Sequence, residues 1–243
     1  MTATPAIAEF IGGVGLTHLR VYDQRPAPDG KMSGCAHIHG LTDEGYYTIG
    51  GAGALELHDP EHGFRTVPLV AGNYVQFTPG TLHRTISTDA LEVLVIMGNA
   101  GLAERGDARI YFGRAVDDDP GEYARLAALP REQGMEGALE RRDASVNAYK
   151  VLIELWERDR EAYNTELGRF LDVHRRDLAA RRNQFGAVFE SGLEHWLGVA
   201  RERIDGLASE PAGAQGQAAD QARGGPKLGM CGILHQLHGL GSV

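Results

Sequence analysis

The chain has 243 residues, 42% hydrophobic and 23% charged, with a formal net charge of -9. That suits one large or two small domains with a real core, and the acidic balance would repel a phosphate backbone or an anionic membrane. The start, MTATPAIAEFIGG, lacks the basic and long apolar runs of a signal peptide, and no apolar stretch reaches the roughly 18 to 20 residues of a membrane span. Two distant cysteines, Cys35 and Cys231, imply no disulfide framework. The expectation is a cytoplasmic protein with neither nucleic acid nor membrane as partner.

From about Gly15 to Gly113 the chain is broken every few residues by Gly, Pro, Asn or Asp, and the pieces between alternate or run briefly apolar, which reads as β. The predicted strands are Leu16–Tyr22, Cys35–His39, Tyr46–Gly50, Ala54–His58, Phe64–Val70, Tyr74–Thr78, His83–Ser87, Leu91–Met97 and Arg109–Phe112. Many short strands at turn spacing predict a sandwich or barrel. Past Asp117-Asp118-Asp119 the pattern changes, because an Asp cap followed by Pro120 starts a helix that Pro130 would end. From about Ser145 to Leu207 large apolar residues recur near a 3.6-residue period, predicting two or three amphipathic helices whose stripe, with Trp156 and Trp196, must be buried on the barrel or on a second subunit. Arg175, Arg176, Arg181 and Arg182 read as a solvated helix face. Residues 208–227 are poor in large apolar groups and read as a flexible linker, and 228–243 as an apolar tail that docks. The expected division is 1–116 β-barrel, 117–207 helical region, 208–227 linker and 228–243 tail.

Ligating residues concentrate in GCAHIHGLTDEGYYTIGG, Gly34 to Gly51. Strand parity puts Cys35, His37 and His39 on one face, inward if the sheet closes into a barrel. Glu44 follows across a turn containing Thr42 and Asp43, and His83 opens a strand after Thr-Pro-Gly-Thr. Three imidazoles and one carboxylate would leave one or two positions open on a divalent transition metal. By the same parity Tyr46 and Thr48 share the face of Glu44, and Thr85 that of His83; Tyr46 is the candidate catalytic acid, base or substrate-orienting group. Arg20 and Arg109 are candidate single partners for a substrate carboxylate.

The run Gly34, His37, His39, Glu44 and Gly51, followed by Gly72, Gly80 and His83, resembles the paired motifs of the cupin superfamily over about Gly15 to Phe112. The first glycine is nearer to His37 than usual, Thr78 stands at the first proline position with Pro79 next to it, and the asparagine that often follows the last histidine is absent. The resemblance implies an α+β, mainly β fold: a jelly-roll β-barrel followed by an α-helical region, with His37, His39, Glu44 and His83 as metal ligands. It further implies a metal-dependent enzyme acting on a small organic substrate, an Fe(II)-type dioxygenase first. With Mn, Ni, Co or Zn the same ligands would suit an isomerase, decarboxylase or lyase. A non-catalytic ligand-binding or regulatory cupin is the remaining alternative, and a homodimer is expected.

Other candidates read as structural. His58 and His62 fall at a hairpin turn and are expected to be exposed; His18, His174 and His195 are expected to pack. Cys35 reads as a small buried hydrophobe. Cys231, His235 and His238 could hold zinc chemically but match no established spacing, so packing is expected there as well.

Overall fold

The computed structural model describes residues 10–129, 131–208, 217–220 and 225–242. Eight strands make up its first half: β1 (Gly15–Val21), β2 (Met32–Ser33), β3 (His37–His39), β4 (Glu44–Asp59), β5 (Gly63–Val70), β6 (Tyr74–Phe77), β7 (Leu82–Met97) and β8 (Ala108–Ile110). Strands β4 and β7 are each 16 residues long and pair with one another from Glu44↔Met97 to His58↔Leu82. Each was expected as two strands split by a turn. The turn residues are present, but they make bends inside continuous strands, with register shifts between Thr48 and Gly53. Gly51 has φ +68°, and a Cβ on Gly53 would sit 2.0 Å from the Ile86 carbonyl oxygen. These glycines let the pair bend without ending it.

The bend divides the sheet into two halves that share β4 and β7. At one end β7 lies between β1 and the start of β4, which also pairs with β6; at the other, β7 carries β2 and β3 on one side, while the far end of β4 pairs with β5. Leu19, Tyr46, Leu55, Leu69, Phe77 and Val93, drawn from both halves, form one buried cluster. This is a jelly-roll-type barrel closed on its own apolar interior.

The helices cover its outside. After α1 (Arg114–Asp117), Asp119 accepts from Gly121 N and Glu122 N and starts α2 (Pro120–Ala127) as the sequence predicts. Helix α3 (Gly134–Arg158) begins earlier than its apolar stripe suggests, because Ala138 and Leu139 bury against Tyr22 and hold its first turns in place despite two glycines. It is followed by α4 (Arg160–Arg181), capped by Asp159, then α5 (Gly186–Phe189) and, after a π-helical turn, α6 (His195–Asp205). Tyr149, Leu152, Tyr163, Leu167 and Phe170 of α3 and α4 pack on Ala36, Ile38, Leu82 and Tyr111, the back of the strands that carry the histidines. Trp156 meets Phe64 and Tyr163, so this part of the stripe is buried within the chain. Arg175, Arg176, Arg181 and Arg182 are exposed, as a solvated face requires.

The C-terminal strands are β9 (Gln217–Asp220), β10 (Lys227–Leu228), β11 (Gly232–Gln236) and β12 (His238–Ser242). Strand β11 joins the barrel sheet antiparallel to β1, from Thr17↔Gln236 to Val21↔Gly232, and β9 pairs with β12. Residues 209–216 and 221–224 of the expected linker lie outside the described residues. Among those described, no helix is long and apolar enough to cross a membrane.

Candidate metal centre

His37 and His39 occupy the two ends of β3, His83 pairs directly with His37 across the β3–β7 ladder, and Glu44 opens β4. The β3–β7 ladder and the turn from β3 to β4 bring together residues up to 46 positions apart. The four donor atoms lie within 4.8 Å of one another, and all four residues are buried. His83 Nε2 is 3.0 Å from His37 Nε2 and 3.2 Å from Glu44 Oε2, and His39 Nε2 is 3.5 Å from the same oxygen. Donors at about 2.0–2.2 Å from a shared ion would be separated by roughly 3 to 4 Å.

Hydrogen bonds behind the rings fix which nitrogen faces inward. His37 Nδ1 lies 3.2 Å from the Cys35 carbonyl and His83 Nδ1 3.1 Å from the Thr81 carbonyl; a carbonyl only accepts, so both Nδ1 atoms carry the proton. His39 Nδ1 likewise donates to Asp107 Oδ2 at 3.1 Å. All three Nε2 lone pairs are therefore turned to the centre. Two of them face each other at 3.0 Å, and Glu44 Oε2 is buried with no hydrogen bond aligned on it, which is unfavourable until a cation sits between them. The residues fit a divalent metal.

The electrostatics agree. Burial holds His37 well below its ordinary pKa, reinforced by His83 and His39 beside it, so its ring stays neutral and ligating. Burial opposes charge on His39 too, but Glu44 and Asp107 outweigh it and raise its pKa; two carboxylates that favour a proton there also favour a metal ion. Glu44 is buried yet held below the usual carboxylate range by His39 and His83.

Asp107, just ahead of β8, escaped the sequence reading. It is 0% exposed, and besides His39 it accepts from Gly40 N at 3.0 Å and Leu41 N at 2.6 Å, while its backbone carbonyl accepts from His174 Nε2 of α4 at 2.8 Å. A carboxylate behind a ligating imidazole fixes its orientation and raises its basicity. Its only sequence trace is the pair Gly106-Asp107 at a strand start, a common loop feature.

The centre opens on a cavity of about 490 Å³ walled by His37, His39 and Glu44, by apolar groups such as Leu19, Val95 and Met97, and by the C-terminal hairpin from Leu228 to Leu237. Cys231 reaches in from that hairpin, its Sγ 3.4 Å from His37 Nε2. Tyr46 is fully buried among the core residues, its hydroxyl 3.4 Å from Thr85 Oγ1 and 3.8 Å from Cys231 Sγ, and burial pushes its pKa well up, so it stays protonated.

Several expectations change. His58 is not an exposed turn residue: β4 continues to Asp59, so its ring is 0% exposed and sits between Tyr149 OH (2.6 Å) and Tyr163 OH (2.9 Å) of the covering helices. His62 is the exposed one, at the turn with Asp59. Cys35 lies outside β3 and packs with Ile110 and Phe112, away from the cavity, in the small-hydrophobe role expected of it. Arg20 pairs with Glu92 on the outer surface, and Arg109 pairs with Asp177 and stacks on Tyr123 at 3.7 Å; neither lines the cavity. His18 Nε2 donates to Glu92 Oε2 at 2.8 Å and lies beside His235, so Cys231 and His235 point to different places; the side chain of His238 lies outside the described residues.

The structure is a jelly-roll-type barrel with a three-histidine, one-glutamate cluster and a helical extension, the arrangement that the sequence resemblance implies. Comparison with solved structures finds a cupin 2 conserved barrel domain protein from Salinispora arenicola (17% identity, 40% of this chain and 72% of that one, TM-score 0.30). It also finds a putative sugar phosphate isomerase from Acidithiobacillus ferrooxidans (22%, 35% and 49%, TM-score 0.27) and an oxalate decarboxylase variant from Bacillus subtilis (16%, 50% and 31%, TM-score 0.34). The chain thus spans about half of the isomerase and under a third of the decarboxylase. No protein-family model and no curated protein matches the chain.

Proposed function

We propose that the protein is a metal-dependent enzyme acting on a small, largely apolar organic molecule, with His37, His39, Glu44 and His83 as the metal ligands and an Fe(II)-type dioxygenase as the reaction class. The observation that carries this reading is the convergence of three inward Nε2 lone pairs and one unpartnered carboxylate oxygen on the floor of a mostly apolar cavity. A metal held there would supply Lewis acidity and, if it is iron, electron transfer to dioxygen. The chain's own groups do the rest. Leu19, Val95, Met97 and Leu234 exclude water and give an apolar substrate its binding energy. Asp107 keeps His39 aimed and basic. Tyr46, protonated and steadied by Thr85, is the orienting donor behind Glu44 and Cys231.

Metal analysis of the purified protein tests the centre: about one divalent transition ion per chain is expected, falling to background in His83→Ala with the circular dichroism spectrum unchanged. Full metal content in that variant would mean the ligands are misassigned. Oxygen consumption with catechols, diketones or thiols under Fe(II) tests the reaction class. Turnover without oxygen uptake, supported equally by Mn, Ni or Zn, would replace oxygenation with isomerase, decarboxylase or lyase chemistry.

A further inference from the structure

Arg141 on α3 is the one arginine or lysine among the described residues that wall the cavity. Its hydrogen bonds go to backbone carbonyls alone: Nη1 donates to Ala127 O at 3.2 Å and Nη2 to Gly229 O at 2.9 Å. Its Nε is buried with no partner. A guanidinium carries five N–H donors, so three are unspent. Every other arginine that reaches inward beneath the helices has an acid: Arg84 has Asp29, Arg109 has Asp177, Arg142 has Asp143 and Arg169 has Glu166. Arg141 is a part-buried cation without one among the described residues, at a wall it shares with His37 and Cys231. Gly229, which it grips, stands two residues before Cys231, whose Sγ touches the His37 ring. The acids that share this wall are Glu44, committed to the metal, and Glu104, which accepts from Gln236.

Half-burying a charge costs free energy that a counter-ion recovers. The cavity is otherwise apolar apart from the metal ligands and a few polar groups at its rim, so the missing counter-ion is best supplied by what enters it. Resting on the enzyme reading above, we infer that the substrate is a carboxylate with an apolar body, its carboxylate received by Arg141 and its body by Leu19, Val95, Met97 and Leu234. The helical extension then has a direct part in specificity, since it brings the cation that the barrel strands lack.

The test is calorimetric, on Zn(II)-loaded and metal-stripped protein in parallel, with phenylacetate, 3-phenylpropanoate and 4-phenylbutanoate against their neutral amides. The wild type should bind at least one carboxylate about tenfold or more tighter than its amide, the worth of a charge-assisted hydrogen bond. Arg141→Met should lose that preference while keeping wild-type metal content, and Arg141→Lys should keep part of it. Equal affinity for acid and amide in the wild type, no binding across the series, or a preference that survives in Arg141→Met would overturn the inference and leave Arg141 a tie between α2 and the hairpin. Metal content separates the two readings: a metal-loaded wild type without an acid preference condemns only this one, while a preference for acids in a wild type that takes up no metal condemns only the metal centre.

Discussion

Asp107 does more for the site than any residue outside the four ligands. One oxygen fixes the His39 ring and the other gathers Gly40 N and Leu41 N, so a single carboxylate sets both a ligand's tautomer and the turn that leads to Glu44. Asp107→Asn keeps the shape but can present an N–H where His39 also needs to donate. We expect metal affinity to fall about 10- to 100-fold, read by competition with a chromophoric chelator; an unchanged affinity would show that His39 needs no such support. The convergence of His37, His39, Glu44 and His83 was legible in the sequence because strand parity and turn spacing are local rules. Asp107, Cys231 and Arg141 were not, since they reach the site from a loop, a C-terminal hairpin and a helix, and nothing local marks their destination.

At the level of elements, the hairpin around β10 and β11 acts as a wall. Gly34 is where it crosses the barrel: a Cβ there would lie 2.5 Å from Cys231 Cα and 2.7 Å from Cys231 O, closer than atoms can approach. The first glycine of the motif is thus required by a segment nearly 200 residues later. Gly34→Ala should push the hairpin off its seat and expose the Cys231 thiol, now 8% exposed. Faster reaction of that thiol with an aromatic disulfide reagent is the expected readout, with Cys231→Ser as the control; wild-type kinetics would mean the hairpin adapts. Strand boundaries were misread for a related reason. Gly50 to Gly53 and Ser87 to Ala90 have the composition of turns, and only the pairing of β4 with β7 along their whole length makes them bends.

Across the whole molecule, the His58 ring ties barrel to helices. Tyr149 donates to Glu56 Oε2 at 3.0 Å and so accepts from His58 Nε2, which leaves Nδ1 to accept from Tyr163. Burial lowers its pKa to about 3, with the Arg65 charge adding to the effect. The folded chain keeps this ring neutral while the unfolded chain protonates it near 6.5, so between those values the unfolded state binds the extra proton. Its contribution is complete above about pH 6.5 and is lost as pH falls toward 3, amounting at most to about 5 kcal/mol. Denaturant melts between pH 7 and pH 4 should show a loss of stability that is smaller in His58→Gln, which cannot titrate; identical slopes would place the acid sensitivity elsewhere.

From its residues alone the chain determined a β-barrel first half, a helical second half and a cluster of three histidines and a glutamate suited to a divalent metal, because period, turn chemistry and strand parity act over a few neighbours. Tertiary structure alone decided that β4 and β7 run unbroken, that His58 is buried, and that the hairpin and α3 complete the cavity with Cys231 and Arg141. Those outcomes depend on which surfaces meet, and a contact between residues far apart leaves no periodic mark in the sequence.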